Sequence, residues 1–302
     1  MRTRNIVGGL ALMAGLALGL VPTGASTAVT AGHGTSTVAR HDAATTKAEQ
    51  RRVENYWTPA RMKAAVPWGS QRELKGKPGG GGSGPGTAVK ETAQPTYGKV
   101  FFTEGRTNYV CSGTATNSTN GDVVTTAGHC VNAGPGAYVT NFAFVPAYDN
   151  GAAPYGTWTA QTLLTTDGWK NSGDFNVDVG FAVMNENASN QSLTQVVPGS
   201  PIAFNLARGL SYKAYGYPAA SPFNGQSLYS CSGTVVQDTF GGSTDQGLAC
   251  NMTGGSSGGG WITGGSLNSV TSFGYTNVKN VLWGPYFGSV IQSVYNAAAA
   301  TP

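Results

Sequence analysis

Asp122-Val123-Val124-Thr125-Thr126-Ala127-Gly128-His129-Cys130 decides how this chain is read. The β-branched residues Val123 to Thr126 favour a strand, because branching at Cβ costs rotamer freedom in a helix and packs well on a pleated surface. Ala127-Gly128 ends the run, and an imidazole and a cysteine follow side by side. Outward from this stretch the same texture extends over residues 93–302. Short segments rich in Val, Thr, Phe and Tyr, at 98–103, 143–146, 157–160, 177–184, 212–215, 269–273 and 280–283, alternate with clusters of Gly, Asn, Ser and Pro. Many short strands with frequent turns predict an all-β sandwich or barrel. Residues 288–295, apolar at Val290, Ile291 and Val294, predict a short C-terminal helix.

Before residue 93 the texture differs. Arg2 and Arg4 precede an apolar run over 6–21, and small residues fill 22–28. A charged start, a short apolar core and a small-residue cleavage region predict a signal peptide over 1–28, hence a secreted, extracellular protein. The alternative is a membrane anchor, but a span takes about 20 apolar residues and this core is shorter. Residues 29–75 are polar, with a helix expected around 47–65 and interrupted at Pro59. Residues 79–86 are only Gly, Ser and Pro, a composition that buries too little apolar surface to fold. Residues 29–92 therefore read as a propeptide and Gly-rich linker, or as a disordered tail with no processing role, and 93–302 as the folded domain. Residues 1–92 hold 12 Lys/Arg against 5 Asp/Glu, and residues 93–302 hold 6 against 9. The formal charge of +4 thus belongs to the leader. The domain is mildly acidic and carries no basic stripe, which argues against a nucleic-acid partner.

Cys111, Cys130, Cys231 and Cys250 are an even set in an exported chain, which implies two disulfides. Of three possible pairings, Cys111–Cys130 and Cys231–Cys250 are favoured because they close modest loops. Each would contribute about 3 kcal/mol in a chain-entropy account. A zinc site is disfavoured: there is no Cys-x-x-Cys and one histidine nearby.

Of three histidines, His33 and His41 fall in the leader and read as solvated. His129 is the domain's imidazole, and histidine suits general-base work because its ordinary pKa is about 6.5. A second feature is Cys250-Asn251-Met252-Thr253-Gly254-Gly255-Ser256-Ser257-Gly258-Gly259-Gly260-Trp261. Glycines around a serine let the hydroxyl protrude and let successive N–H groups converge into an oxyanion hole. In a chain with 45 glycines the same run also reads as a flexible loop. The third feature is Asp178, a carboxylate at the start of the apolar segment Val179-Gly180-Phe181-Ala182-Val183-Met184. Buried there it needs a partner, and His129 is a suitable one. Asp174, in Gly173-Asp174-Phe175-Asn176, is the competitor and reads as a turn residue.

Together these features carry a resemblance. Thr126-Ala127-Gly128-His129-Cys130 resembles the histidine motif of the trypsin/chymotrypsin-like serine peptidase superfamily. Asp178 with its apolar strand resembles the aspartate segment, and Gly255-Ser256-Ser257-Gly258-Gly259 the nucleophile motif, in the superfamily's order. Tyr215-Gly216-Tyr217-Pro218 and the 253–258 run are most similar to the bacterial secreted, glutamyl endopeptidase-like branch. The resemblance covers roughly residues 96–297. It implies two six-stranded antiparallel β-barrels with a short C-terminal helix, and a catalytic His129, Asp178 and Ser257. It further implies an oxyanion hole from Gly255 and Ser257 and a cleft lined by Asn251, Met252, Ser272, Phe273 and Gly274. Ser256 stands where trypsin-like enzymes carry an Asp that pairs with a freed N-terminus, so that activation route is not expected and the leader is left as a folding aid or inhibitor. Ser256 remains the rival for Ser257, which is favoured because Gly258-Gly259 must follow the nucleophile. Asn251 at the expected pocket base disfavours an Arg or Lys preference, and Phe273, Tyr275 and Met252 point to a neutral or apolar pocket.

The expected protein is a monomeric serine endopeptidase acting on protein or peptide substrates, with no cofactor, no metal and no membrane contact once the signal is cut. The rivals are a catalytically silent homologue acting as a secreted binding protein, an esterase, and a purely structural β-domain. An α/β-hydrolase esterase would order its triad Ser, Asp, His and alternate strands with helices. Neither holds here.

Overall fold

The computed structural model describes residues 37–72 and 86–302, so the expectations for the signal peptide, for His33 and for most of the 79–86 glycine run lie outside it. The described leader forms strands β1 (Val38–Asp42), β2 (Val66–Pro67), β3 (Ser70–Arg72) and β4 (Val89–Lys90) and helices α1 (Lys47–Tyr56) and α2 (Pro59–Ala64). Helix α1 opens with a reciprocal cap, in which Thr46 Oγ1 accepts from the Glu49 N–H and the Glu49 carboxylate accepts from the Thr46 N–H. Thr58 caps α2, with Pro59 in the first turn, where its missing N–H costs nothing. The helix expected around 47–65 is therefore two helices, parted at the proline.

The next six strands build a closed barrel. They are β5 (Tyr97–Glu104), β6 (Thr107–Thr116), β7 (Val123–Thr126), β8 (Thr140–Pro146), β9 (Trp158–Thr166) and β10 (Gly180–Met184). Their antiparallel order is β9-β10-β7-β6-β5-β8, and β8 pairs back onto β9 through Ala143↔Thr159 and Phe144↔Trp158. Val100, Phe102, Val124, Phe144 and Leu163 fill the interior. Burying each large side chain contributes about 1.5–3 kcal/mol. Strand β1 extends this sheet beyond β9, in register from Val38↔Thr166 to Asp42↔Thr162. His41 of β1, exposed, stacks on Tyr138 at 4.8 Å.

The second half contains β11 (Ser211–Gly216), β12 (Tyr229–Thr234), β13 (Val236–Gln237), β14 (Gln246–Ala249), β15 (Gly260–Thr263), β16 (Ser266–Val270), β17 (Phe273–Tyr275) and β18 (Val281–Gly284). They pair as two sheets, β16-β15-β11-β12-β4 and β13-β14-β18-β17-β3, around a common core of Tyr212, Ala214, Leu248, Met252, Trp261 and Leu282. Each sheet ends on a leader strand. The C-terminal helix Ser289–Ala299 buries Ile291, Val294 and Ala298 in a cluster with Leu164, Phe181 and Val183 of the first barrel. The fold is the all-β chymotrypsin-like architecture expected. Among the described residues no helix is long and apolar enough to cross a membrane.

Strands β6, β12, β14 and β15 escaped the sequence pattern. Strand β6 reads Thr-Asn-Tyr-Val-Cys-Ser-Gly-Thr-Ala-Thr, with little apolar alternation. Its backbone is paired on both sides, by β5 and β7, so small polar residues suffice there. The segment expected at 269–273 straddles two strands, because Thr271 and Ser272 part β16 from β17.

Candidate active site

Both expected disulfides are present. Cys111–Cys130 and Cys231–Cys250 each close a separation of 19 residues. The first ties β6 to the 3-10 turn Gly128–Cys130 and so fixes the backbone that carries His129. Gly128 has a mechanical reason: a Cβ there would come 2.8 Å from both Asp178 Oδ1 and the Trp169 ring.

Asp178 is wholly buried, and every oxygen of its carboxylate is engaged. The His129 backbone N–H donates to Oδ1 at 2.8 Å, and His129 Nδ1 lies 2.7 Å from Oδ2. Ser272 Oγ donates to Oδ2 at 2.5 Å. A carboxylate only accepts, so the imidazole proton belongs on Nδ1 and the lone pair on Nε2. Nε2 is buried and has no hydrogen-bond partner among the described residues. Asp178 precedes its strand rather than opening it: it sits in a bend after a 3-10 turn, two residues before β10. Asp174 accepts from the backbone N–H of Asn176 as the cap of that turn and is exposed.

Ser257 comes from the second half, on the loop between β14 and β15, and is held by the first. The Ser112 N–H donates to the Ser257 carbonyl at 2.7 Å, and Ser112 Oγ donates to the Gly255 carbonyl at 2.9 Å while accepting from the Tyr217 N–H. Gly258 has φ +78°, and a Cβ there would collide with Thr126 Oγ1 and lie 2.5 Å from the Ser112 carbonyl. Only glycine lets the loop seat against β6 and the histidine turn. Ser256 points away: its hydroxyl donates to the Thr253 carbonyl at 2.7 Å. Ser112 was missed from sequence; its adjacency to Cys111 is the signal that would have found it.

Beside Ser257 opens a cavity of about 530 Å³, lined by Asn251, Met252, Phe273, Gly274, Tyr275 and Val281 among others. That size suits a side chain or small ligand. Ser272 and Asn251 line it as expected, and each also holds a structural hydrogen bond. The Ser272 hydroxyl is spent on Asp178, and the Asn251 side-chain oxygen accepts from the Ala88 N–H at 2.7 Å. Thr276, Lys279 and Asn280 also line the cavity and were not foreseen. Among the described residues, Cys111, His129 and Cys130 have metal-ligand spacing, but both sulfurs are in a disulfide and cannot act as thiolates.

No family model matches the chain. Over 71% of its length it is 55% identical to the protease Anisep from Arthrobacter nicotinovorans, matching 100% of that chain with a TM-score of 0.69. It is 49% identical to AL20, a thermostable serine protease from an extremophilic microorganism, over 69% of this chain and 99% of that one, with a TM-score of 0.67. A Glu endopeptidase at 19% identity shares the fold, covering 71% of this chain and 97% of its own, with a TM-score of 0.57. Among curated proteins, an extracellular metalloprotease of Bacillus subtilis is 27% identical over 135 residues, 43% of this chain. The match spans 37% of that relative's length.

Proposed function

This chain belongs to the trypsin/chymotrypsin-like superfamily of serine proteases, and we propose that it is a secreted endopeptidase that cuts peptide bonds through an acyl-enzyme on Ser257. The observation that carries this reading is the double hold of Asp178 on His129, through backbone N–H and Nδ1 at once. With Nδ1 so engaged, Nε2 takes the Ser257 hydroxyl proton as Oγ attacks the substrate carbonyl carbon. The N–H groups of Gly255 and Ser257 receive the oxyanion that forms. Nε2–H then gives its proton to the departing amine, the C–N bond breaks, and water repeats the sequence to free Ser257. Asp178 accepts from Nδ1 throughout and stabilises the imidazolium in a buried site. Ser256, already donating to Thr253, is the weaker nucleophile.

The apolar wall of Met252, Phe273 and Val281 supports a neutral or apolar residue on the acyl side of the cut bond. Lys279 on the cavity lining argues further against a basic one. Two disulfides support an oxidising compartment. The solved relatives are matched whole by about seven tenths of this chain, which supports a leader absent from the working enzyme.

The test is fluorophosphonate labelling of the secreted, processed protein, with the adduct mapped by tandem mass spectrometry. The expected adduct lies on Ser257 and disappears in His129→Ala. An adduct on Ser256 would move the nucleophile by one residue. No adduct on the processed, disulfide-bonded protein would favour a silent binding homologue.

A further inference from the structure

The cleft is filled by the chain itself. Strand β2 lies parallel to β6, with Val66↔Tyr109 and Pro67↔Val110. Trp68 follows: its N–H donates to the Val110 carbonyl at 3.0 Å, and its carbonyl accepts from the Gly255 N–H at 2.6 Å. Gly69 passes so close to the nucleophile loop that a Cβ would sit 3.1 Å from Gly254 Cα. Strand β3 then lies parallel to β17, with Ser70↔Phe273, Gly274↔Gln71 and Tyr275↔Arg72. The Trp68 ring stacks on His129 at 6.2 Å with 21° between the planes, wedged against Tyr109 at 4.5 Å and Phe102 at 6.0 Å. Under this cover His129 is 2% exposed and Ser257 4% exposed, too little for a peptide to reach either.

The direction of travel matters. A productive peptide puts its acyl residue beside the cavity wall at β17, with its carbonyl on the Gly255 and Ser257 N–H groups. Its amine leaves on the His129 side, toward Cys111–Cys130 and β6. It therefore runs from β17 to β6, N-terminus to C-terminus. The leader runs from β6 to β17. The Trp68 carbonyl occupies an oxyanion donor, but its amide nitrogen belongs to Gly69, which lies on the cavity lining. His129 is stacked against the Trp68 ring and has no path to protonate that nitrogen, so attack by Ser257 would have no leaving group to expel.

We propose that residues 66–72 are a built-in inhibitor of the cleft, a reverse-running strand that adds to both walls, lays Trp68 on His129, and is spared by the nucleophile because of its polarity. This rests on the peptidase reading of the site. The segment is anchored upstream, away from the glycine linker. Trp57 packs on Phe101 at 5.3 Å and its Nε1 donates to the Asn141 carbonyl, Gln50 Nε2 donates to Asn185 Oδ1 at 2.7 Å in a buried pair, and β1 is paired along β9. Such anchors keep the effective concentration of the strand high, so cutting the linker alone does not free the cleft.

The experiment compares three proteins by their rate of fluorophosphonate labelling: the intact secreted chain, the same chain with Trp68→Ala, and the processed enzyme without its leader. The intact chain should label about 100-fold more slowly than the processed enzyme, since only the fraction with an open cleft reacts. Trp68→Ala should recover at least about tenfold of that. In parallel, the intact chain is incubated and its cut sites mapped by mass spectrometry; no cut should fall between residues 66 and 72. Equal labelling of intact and processed enzyme overturns the inference and leaves the peptidase reading standing, and so does a cut on either side of Trp68. Absence of labelling in the processed enzyme instead sinks the peptidase reading. The intact-against-processed rates and the cut map decide the matter even where Trp68→Ala does not fold.

Discussion

The two halves of the molecule are closed in different ways. The first barrel completes a ring of backbone hydrogen bonds from β9 round to β8. The second half is two sheets that share a core and are stapled where Cys231 of β12 meets Cys250 after β14. The division of chemistry follows this difference. His129 and Asp178 come from the closed barrel, where a disulfide and a backbone N–H pin their relative position. Ser257, Gly255 and most of the cavity lining come from loops and strands of the open half, whose sheets do not close into one ring of hydrogen bonds. On the proposed reading, a base that must be held to a fraction of an ångström would draw its support from the closed ring, and the groups that meet substrate from the two open sheets. The seam between them is polar and short-ranged: Ser112 to the nucleophile loop, Thr126 behind Gly258, and Ser272 to Asp178.

If the closed barrel supplies orientation, breaking it there should cost most. Asp178→Asn keeps the shape but offers His129 the wrong partner; kcat should fall about 10⁴-fold with KM little changed. A loss below tenfold in steady-state kinetics would remove Asp178 from its orienting role. Next in size is the seam itself. Gly258→Ala must relieve both a positive φ and a collision with Thr126, so it should destabilise by about 3 kcal/mol or more in denaturant melts. An unchanged midpoint would mean that the two halves are not seated as described. Ser272→Ala removes one hydrogen bond to an ionised carboxylate, worth about 2 kcal/mol, or some thirtyfold in kcat, while the fold should survive. An effect on KM alone would return Ser272 to the substrate-lining role.

The last comparison joins the halves through pH. Lys99 of β5 is buried, with its ammonium on the Gly225 carbonyl at 2.8 Å and 4.7 Å from the Tyr148 ring centroid. Burial pushes its pKa down from 10.5 to about 8. The folded state thus binds fewer protons than the unfolded one between pH 8 and 10.5, and stability rises with pH across that window, being lost again as pH falls through 8. The rise should total about 3 kcal/mol across the window in chemical denaturation and should vanish in Lys99→Met. A rise that persists in the variant would assign it to another group.

The strands that alternate were legible before any coordinates, and those built of small polar residues were not. The segment at 122–126 announced itself through β-branching, but β6 did not, because burial between two strands came from pairing rather than from its own side chains. The leader shows the same limit from the other side. One helix interrupted at Pro59 was visible in the polar run, yet nothing local to Val38–Asp42 or to Trp68 says that one will extend a barrel and the other will lie on an imidazole.

By itself the sequence determined the all-β class, the two disulfides, and the His129 and serine-loop motifs. These are local properties: β-branched runs, glycine spacing, a cysteine beside a histidine, an even cysteine count. The sequence already favoured Asp178 over Asp174 and Ser257 over Ser256; only the tertiary structure showed Asp178 holding His129 at two points, enlisted Ser112 and Ser272, and laid Trp68 across the cleft. Those contacts join residues 49, 94 and 143 positions apart. No periodicity spans such separations; they exist because closing the barrel and packing the two sheets bring distant backbone together, where a hydrogen bond or a missing Cβ decides which side chain fits.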